Sequence, residues 1–295
     1  MAEENLQVKN WHDKYYKILL IIPAILIIFS FVYMINFYIQ HGDFIKKDIS
    51  LTGGTSVTLY DKLDADKLKQ ELQNKLEEVN IREVYDLISK EQKALIIETK
   101  SGADETKKVL EDYLKYELTD ENSSFEFTGS SLSQGFYKQL LIAILVAFVA
   151  MGIVIFLIFR TFVPSIAVIA SAFADILMTL VVVNILGIEI STAGLVAFLM
   201  LIGYSVDTDI LLTSRVLKRE GESLNKKIFD SFKTGMTMTL TALFSVLVAL
   251  FIVKSFSSVL TQIFTILSIG LVFDIFNTWV TNVSIIKWYI KSKHG

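Results

Sequence analysis

LLIAILVAFVAMGIVIFLIF, from Leu140 to Phe159, is a run of 20 residues without a charged side chain, closed by Arg160. A bilayer hydrocarbon core about 30 Å thick is crossed by roughly 20 apolar residues in α-helix. A helix satisfies its own backbone N–H and C=O groups, so such a run can lie in lipid. Five more runs of the same kind flank it: Ile18 to Ile39, Phe162 to Leu186, Ile190 to Leu212, Thr234 to Val253 and Val259 to Ile286. Six transmembrane helices are expected. Pro23 and Pro164 fall near the starts of their runs, where a missing N–H costs least.

The composition of the whole chain agrees once it is read by position. Of 295 residues, 53% are hydrophobic and 20% charged, with net charge −3. Soluble domains average about 45–50% apolar and about 25% charged. The charges crowd into residues 3–17, 43–126 and 215–233 and almost vanish elsewhere beyond Lys138. That segregation excludes a single soluble core and a disordered chain. The acidic balance excludes a nucleic-acid binder. Cysteine is absent, and His12, His41 and His294 lie outside the apolar runs. Disulfides and thiolate chemistry are thereby excluded, and within the bilayer so are a Ser–His pair, a haem site and a histidine-ligated zinc. HExxH, GxxxxGK[ST] and GxGxxG do not occur, so metal hydrolysis, ATP hydrolysis and dinucleotide chemistry have no local support. No metal or cofactor is expected.

The first run has 22 residues and is followed by Gln40-His41-Gly42-Asp43. A signal-peptide core spans about 7–15 residues and ends at a small-residue cleavage site, so this run reads as a retained helix. With residues 1–17 placed in the cytoplasm, the inner segments hold 13 Lys and Arg residues and the short outer loops only Lys254. Short loops rich in Lys and Arg stay inside. Residues 40–139 are then extracytoplasmic and 287–295 form a cytoplasmic tail. The inner loop from Arg215 to Lys233 reads as a solvated amphipathic connector, with contact to anionic lipid or a partner as the alternative.

Residues 40–139 alternate between two periodicities. Ser50–Tyr60, Glu83–Ser89, Ala94–Thr99 and Phe125–Thr128 read as strands, while Ala65–Val79 and Thr106–Leu118 carry helical apolar stripes. The order β-α-β-β-α-β is that of a ferredoxin-like, split β-α-β domain. The fold class is therefore a six-helix membrane protein with an α+β ferredoxin-like extracytoplasmic domain between helices 1 and 2. Gly53-Gly54 reads as a bulge or a tight approach of backbone.

Four acids interrupt the apolar runs: Asp175, Asp207, Asp209 and Asp274. An ion at mid-bilayer costs several kcal/mol, so each such acid carries a functional hypothesis. Asp175 is the fourteenth of 25 residues in its run. A buried carboxyl can take a proton from one side and release it to the other. Asp175, Asp207 and Asp209 are the candidates for proton handling, against the plainer reading of hydrogen-bonded packing. Asp274, with Asn277, Thr278 and Asn282 on neighbouring turns, reads as intramembrane polar packing between helices. The small-residue pairs Ala170/Ala174 and Ala193/Ala197, and the threonines 234, 237, 239 and 241, read as helix packing. Asn122-Ser123-Ser124 is a sequon of a kind common by chance.

One long helix, about 100 outer residues and then five helices resemble one half of a transporter of the resistance-nodulation-division (RND) superfamily. Leu51-Thr52-Gly53-Gly54-Thr55 after Asp48 resembles the Asp-Phe-x-Gly-Gly signature of the SecD/SecF family of protein-export membrane subunits. Gly203-Tyr204-Ser205-Val206-Asp207-Thr208-Asp209, running on to Arg215, resembles the fourth-helix signature of the SecF branch, and Ala174-Asp175-Ile176 its third-helix His-Asp-Val. Gly129-Ser130-Ser131-Leu132-Ser133 stands where the family has Gly-Pro-x-(Leu/Val)-Gly. Thr208 occupies the place of the bacterial membrane Asp, and Lys233 is the cation nearest the place of the bacterial fifth-helix Arg. These departures resemble the archaeal type. The resemblance implies a non-enzymatic accessory subunit of Sec export in the cytoplasmic membrane. It also implies pairing with SecD, a SecY-type channel beside it, and a translocating polypeptide at the outer domain. The rival transport reading is an RND-type small-molecule or lipid exporter, which asks for a larger outer domain with a substrate cleft. The rival enzyme reading, an intramembrane aspartyl protease using Asp175 and Asp207, lacks its Tyr-Asp and Gly-x-Gly-Asp signatures.

Overall fold

The computed structural model describes residues 11–86, 89, 91–218, 221–255 and 257–294. Outside it fall residues 1–10 of the N-terminal segment, residues 87 and 88 of the strand expected over Glu83–Ser89, and Arg219 of the inner loop. Among the described residues, six helical segments are long and apolar enough to cross a membrane, as the six runs lead one to expect. The protein is a multi-pass membrane protein.

The first crossing is made of α1 (Trp11–Leu19) and α2 (Ile21–His41). Pro23 explains the break between them, because it has no N–H to give the Leu19 carbonyl. The helix stops where Gly42 takes a left-handed conformation and its N–H caps the Tyr38 carbonyl at 2.8 Å. A short helix α3 (Ile49–Thr52) follows. The outer domain then runs β1 (Gly54–Leu59), α4 (Ala65–Leu72), β2 (Asn80–Tyr85), β3 (Gln92–Thr99), α5 (Ala103–Leu114) and β4 (Ser123–Thr128). The remaining crossings are α6 (Ser130–Phe159), α7 (Phe162–Ile185), α8 (Thr192–Lys218), α9 (Leu224–Val253) and α10 (Ser258–Phe276). The last of these continues through a π-helical stretch, Asn277–Asn282, into α11 (Val283–His294). Several helices run past the apolar stretches they contain; α6 begins at Ser130 and α9 at Leu224.

The strands form one antiparallel sheet in the order β2-β3-β1-β4. β1 and β2 are thus parallel to each other with β3 between them, the connectivity of a split β-α-β. Residues 50–52, expected to begin the first strand, are helical instead. Asp48 accepts the Ser50 N–H at 3.1 Å and caps that turn, and the backbone then turns sharply at Gly53. Alternation along the strands divides the sheet into two faces. Val57, Leu59, Leu95 and Ile97 pack against Leu68, Leu72 and Leu110 of the helices, all of them fully buried. Ser56, Thr58, Ile96 and Glu98 point the other way, toward the ends of the membrane helices.

Within the membrane half, α7 and α8 are the buried centre, whereas α2, α6 and α9 leave most of their apolar surface uncovered. Exposed Ile, Val, Leu and Phe side chains on those outer helices suit a hydrocarbon solvent. Close approach of helices relies on glycine: a Cβ at Gly235 would lie 2.5 Å from the Trp279 ring and 2.9 Å from Thr208, and one at Gly270 would lie 2.5 Å from Leu201.

Candidate functional site

Polar side chains of α7, α8, α9, α10 and the π-helical stretch meet in the middle of this bundle. Asp175, on α7, is fully buried at 0% exposure. Its Oδ2 accepts the Ser205 hydroxyl of α8 at 2.5 Å and its Oδ1 accepts the Asn277 amide at 2.7 Å. Asp209, two residues beyond Asp207 on α8, is also at 0% exposure and accepts the Asn282 amide at 2.7 Å. Asp274 accepts from Thr278 at 3.3 Å and from Thr239 of α9 at 3.4 Å, and Thr239 meets Thr208 at 3.3 Å. The three carboxyl groups lie within electrostatic reach of one another. All the donors named here are neutral. A carboxyl held by Ser, Thr and Asn can keep its hydrogen bonds with or without its proton, because hydroxyls and amides both donate and accept.

The π-helical stretch explains how two asparagines serve two acids. Residues five apart on an α-helix diverge by about 140°, since each residue turns about 100°. One π turn returns Asn277 and Asn282 to the same side, and π turns recur at functional sites. The Thr281 hydroxyl donates to the Asn277 side-chain Oδ1 at 3.0 Å, fixing which way that amide points.

The residues singled out in the sequence divide between this network and elsewhere. Asp175, Asp209, Asp274, Asn277 and Ser205 are brought together. Asp207 is not: it is exposed on the other face of α8, together with Gly203 and Tyr204. Arg215 stands at the far end of α8, where it donates to the Asp230 carbonyl at 2.8 Å and to Thr234 at 3.0 Å, tying α8 to α9. Asp48, Gly53 and Gly54 stand where the linker turns into the sheet domain. A Cβ at Gly53 (φ +86°) would lie 2.4 Å from the Ser130 Cα, and one at Gly54 2.3 Å from the Thr99 carbonyl oxygen. The glycine pair is therefore a tight approach of backbone on both sides. Sequence reading missed Ser205 and Thr239 as partners of the acids. The signal available was helical spacing: Ser205 stands four residues before Asp209, on the same face of α8.

Residues 107–292 match the family model described as Protein export membrane protein SecD/SecF, C-terminal. The protein-export membrane protein SecF of Methanocaldococcus jannaschii is 40% identical over 284 residues, covering 94% of this chain and 96% of that protein. The SecF of Pyrococcus furiosus is 34% identical over 281 residues, covering 95% and 93%. The crystal structure of SecDF from Thermus thermophilus, a translocon-associated membrane protein, matches with a TM-score of 0.73 at 20% identity, a likeness of fold. That match covers 98% of this chain but only 40% of the longer SecDF chain.

Proposed function

The chain belongs to the SecD/SecF family of protein-export membrane proteins, and from that premise we propose that it is an accessory subunit of the Sec export machinery. Its partner on this reading is a SecD-type protein, with which its six helices make a twelve-helix unit beside a SecY-type channel. The spans are 18–39, 140–159, 162–186, 190–212, 234–253 and 259–286. Residues 40–139 lie outside the cytoplasmic membrane and both termini inside, following the Lys and Arg bias of the short loops. The outer domain acts on the emerging polypeptide.

The observation that carries the mechanism is the buried network around Asp175, which links α7 to α8 through Ser205 and to the π-helical stretch through Asn277. We assign proton handling to Asp175 and Asp209. A proton gained or lost at Asp175 changes what Ser205 and Asn277 must donate, and so biases how three membrane segments pack. The membrane potential supplies about 2.3 kcal/mol per charge per 100 mV, enough to bias a motion of the outer domain on each cycle. Asp207 fits the partner better than the network. It is the sixteenth of 27 residues in α8, about 22 Å along the axis at 1.5 Å per residue, and faces outward. A carboxylate there is costly against lipid, and a membrane helix of the SecD-type subunit offering a hydrogen-bond donor would relieve that cost.

Pull-down of the tagged chain in mild detergent tests the assignment. A SecD-type protein should come with it. Recovery of the chain alone, from cells that also make the SecD-type protein, would contradict the proposal.

A further inference from the structure

The face of the sheet turned toward the membrane half does not rest flat on it. A cavity of about 1000 Å³ lies between them, crossed by a small set of contacts. The linker before α3 runs beside the loop that joins α7 to α8: the Ile190 N–H donates to the Lys46 carbonyl at 2.7 Å, and the Asp48 N–H donates to the Ile190 carbonyl at 3.0 Å. Lys46 pairs with Glu189 at 3.0 Å. On the far edge of the sheet, the Tyr85 N–H donates to the Ser255 carbonyl at 3.1 Å.

The charged centre of this junction is Arg82 of β2. It binds Glu98 of the neighbouring strand β3, and its Nη2 stands 3.6 Å from Asp48 of the linker. Glu98 and Asp48 are 8% and 6% exposed. Glu189, from the α7–α8 loop, is the third acid in the field of Arg82, and Lys46 offsets it. Lys47, Lys69, Glu78, Glu83 and Lys254 also line the cavity, and Glu126 of β4 lines the smaller one beside it. One guanidinium therefore stands at ion-pair distance from two carboxylates, with Glu189 farther off and paired to Lys46. Glu98 belongs to the sheet itself, whereas Asp48 and Glu189 belong to the linker and the membrane half.

We propose that this cluster is a proton-sensitive latch: protonation of Glu98 frees Arg82 to pair with Asp48 and Glu189, and so tightens the outer domain onto the membrane half. The latch is argued from the junction alone and does not depend on the export reading. Burial pushes the Glu98 carboxyl above the ordinary glutamate value, and the pull of Arg82 only partly offsets it. Burial opposes the charge on Arg82, but Glu98, Asp48 and Glu189 together hold its pKa above the ordinary arginine value. The sign follows from linkage. A carboxyl whose pKa is higher docked than undocked takes up a proton on docking. Docking is then favoured below the docked pKa and weakens as pH rises through it. The window lies above the ordinary glutamate value. Each pKa unit between the two states changes the docked-to-undocked ratio by about tenfold.

The absence of cysteine from the chain makes distance labelling clean. Spin labels on Lys108→Cys in α5 and Leu186→Cys at the end of α7, in the full chain in lipid nanodiscs, report the separation of the two parts. Between pH 8 and pH 5 the shorter distance should gain at the expense of a longer one. Glu98→Gln should hold the shorter distance at both pH values, and Arg82→Gln the longer. Glu98→Asp, which keeps the charge, should retain the pH response should the Gln variant fail to fold. Identical distance distributions for the parent at both pH values would overturn the latch. So would a pH response in Glu98→Gln as large as the parent's, or an Arg82→Gln variant that stays docked.

Discussion

Asp175 shows how little a residue type says without its surroundings. Four acids interrupt the apolar runs, and composition alone treats them alike. Geometry separates them: Asp175, Asp209 and Asp274 share one buried network, while Asp207 faces outward from the same helix that carries Asp209. The separation is helical arithmetic, because residues two apart on a helix point about 200° apart. Gly53 carries the sharpest prediction at this scale. Its φ of +86° and the 2.4 Å that a Cβ would leave to the Ser130 backbone both forbid a side chain. Gly53→Ala should cost about 2 kcal/mol or more, read as a lower thermal midpoint in detergent. A midpoint equal to the parent's would show that the approach to α6 can relax. The glycine pair was legible in the sequence as a tight approach of backbone; the atoms it approaches were not, since Ser130 is far along the chain.

The π-helical stretch decides the site at the scale of elements. The sequence marks an apolar run from Val259 to Ile286, and period-3.6 reasoning draws one helix through it. The extra residue in the turn leaves no trace in hydropathy, because π and α turns bury the same residue types. Its consequence is that Asn277 reaches Asp175 while Asn282 reaches Asp209. Inserting one alanine after Val280 should add a further residue to the turn and swing Asn282 away from Asn277 by about 100°. We expect the variant to insert with unchanged helicity by circular dichroism and to lose export activity in cells. Full activity would mean that the π turn does not position the acids. The short helix after Asp48 was misread as strand for a related reason. Ile49 and Thr52 favour strands by type and adjoin the β-rich run from Thr55 to Tyr60, but an aspartate cap is a local hydrogen bond that outweighs propensity over four residues.

The whole molecule is six crossings and one sheet domain, and that much was readable from charge segregation and two periodicities. What binds the parts could not be read, because it depends on contacts between distant segments. Arg82 with Glu98 and Asp48, and Ser205 with Asp175, join residues that no local pattern relates. The exposed face of α8 belongs to a larger assembly on this account. Asp207→Leu should leave the thermal stability of the isolated chain within about 0.5 kcal/mol of the parent, while recovery of the SecD-type partner in pull-downs falls. Unchanged recovery would place the partner on another face. The central claim is that a proton handled at Asp175 drives export. The most direct measurement is the fraction of a secreted reporter that stays as precursor in cells whose only copy carries Asp175→Asn, beside a pull-down of the partner. The account predicts an intact complex, with precursor accumulating as it does when the protein is absent. An intact complex exporting at the parental rate would contradict it.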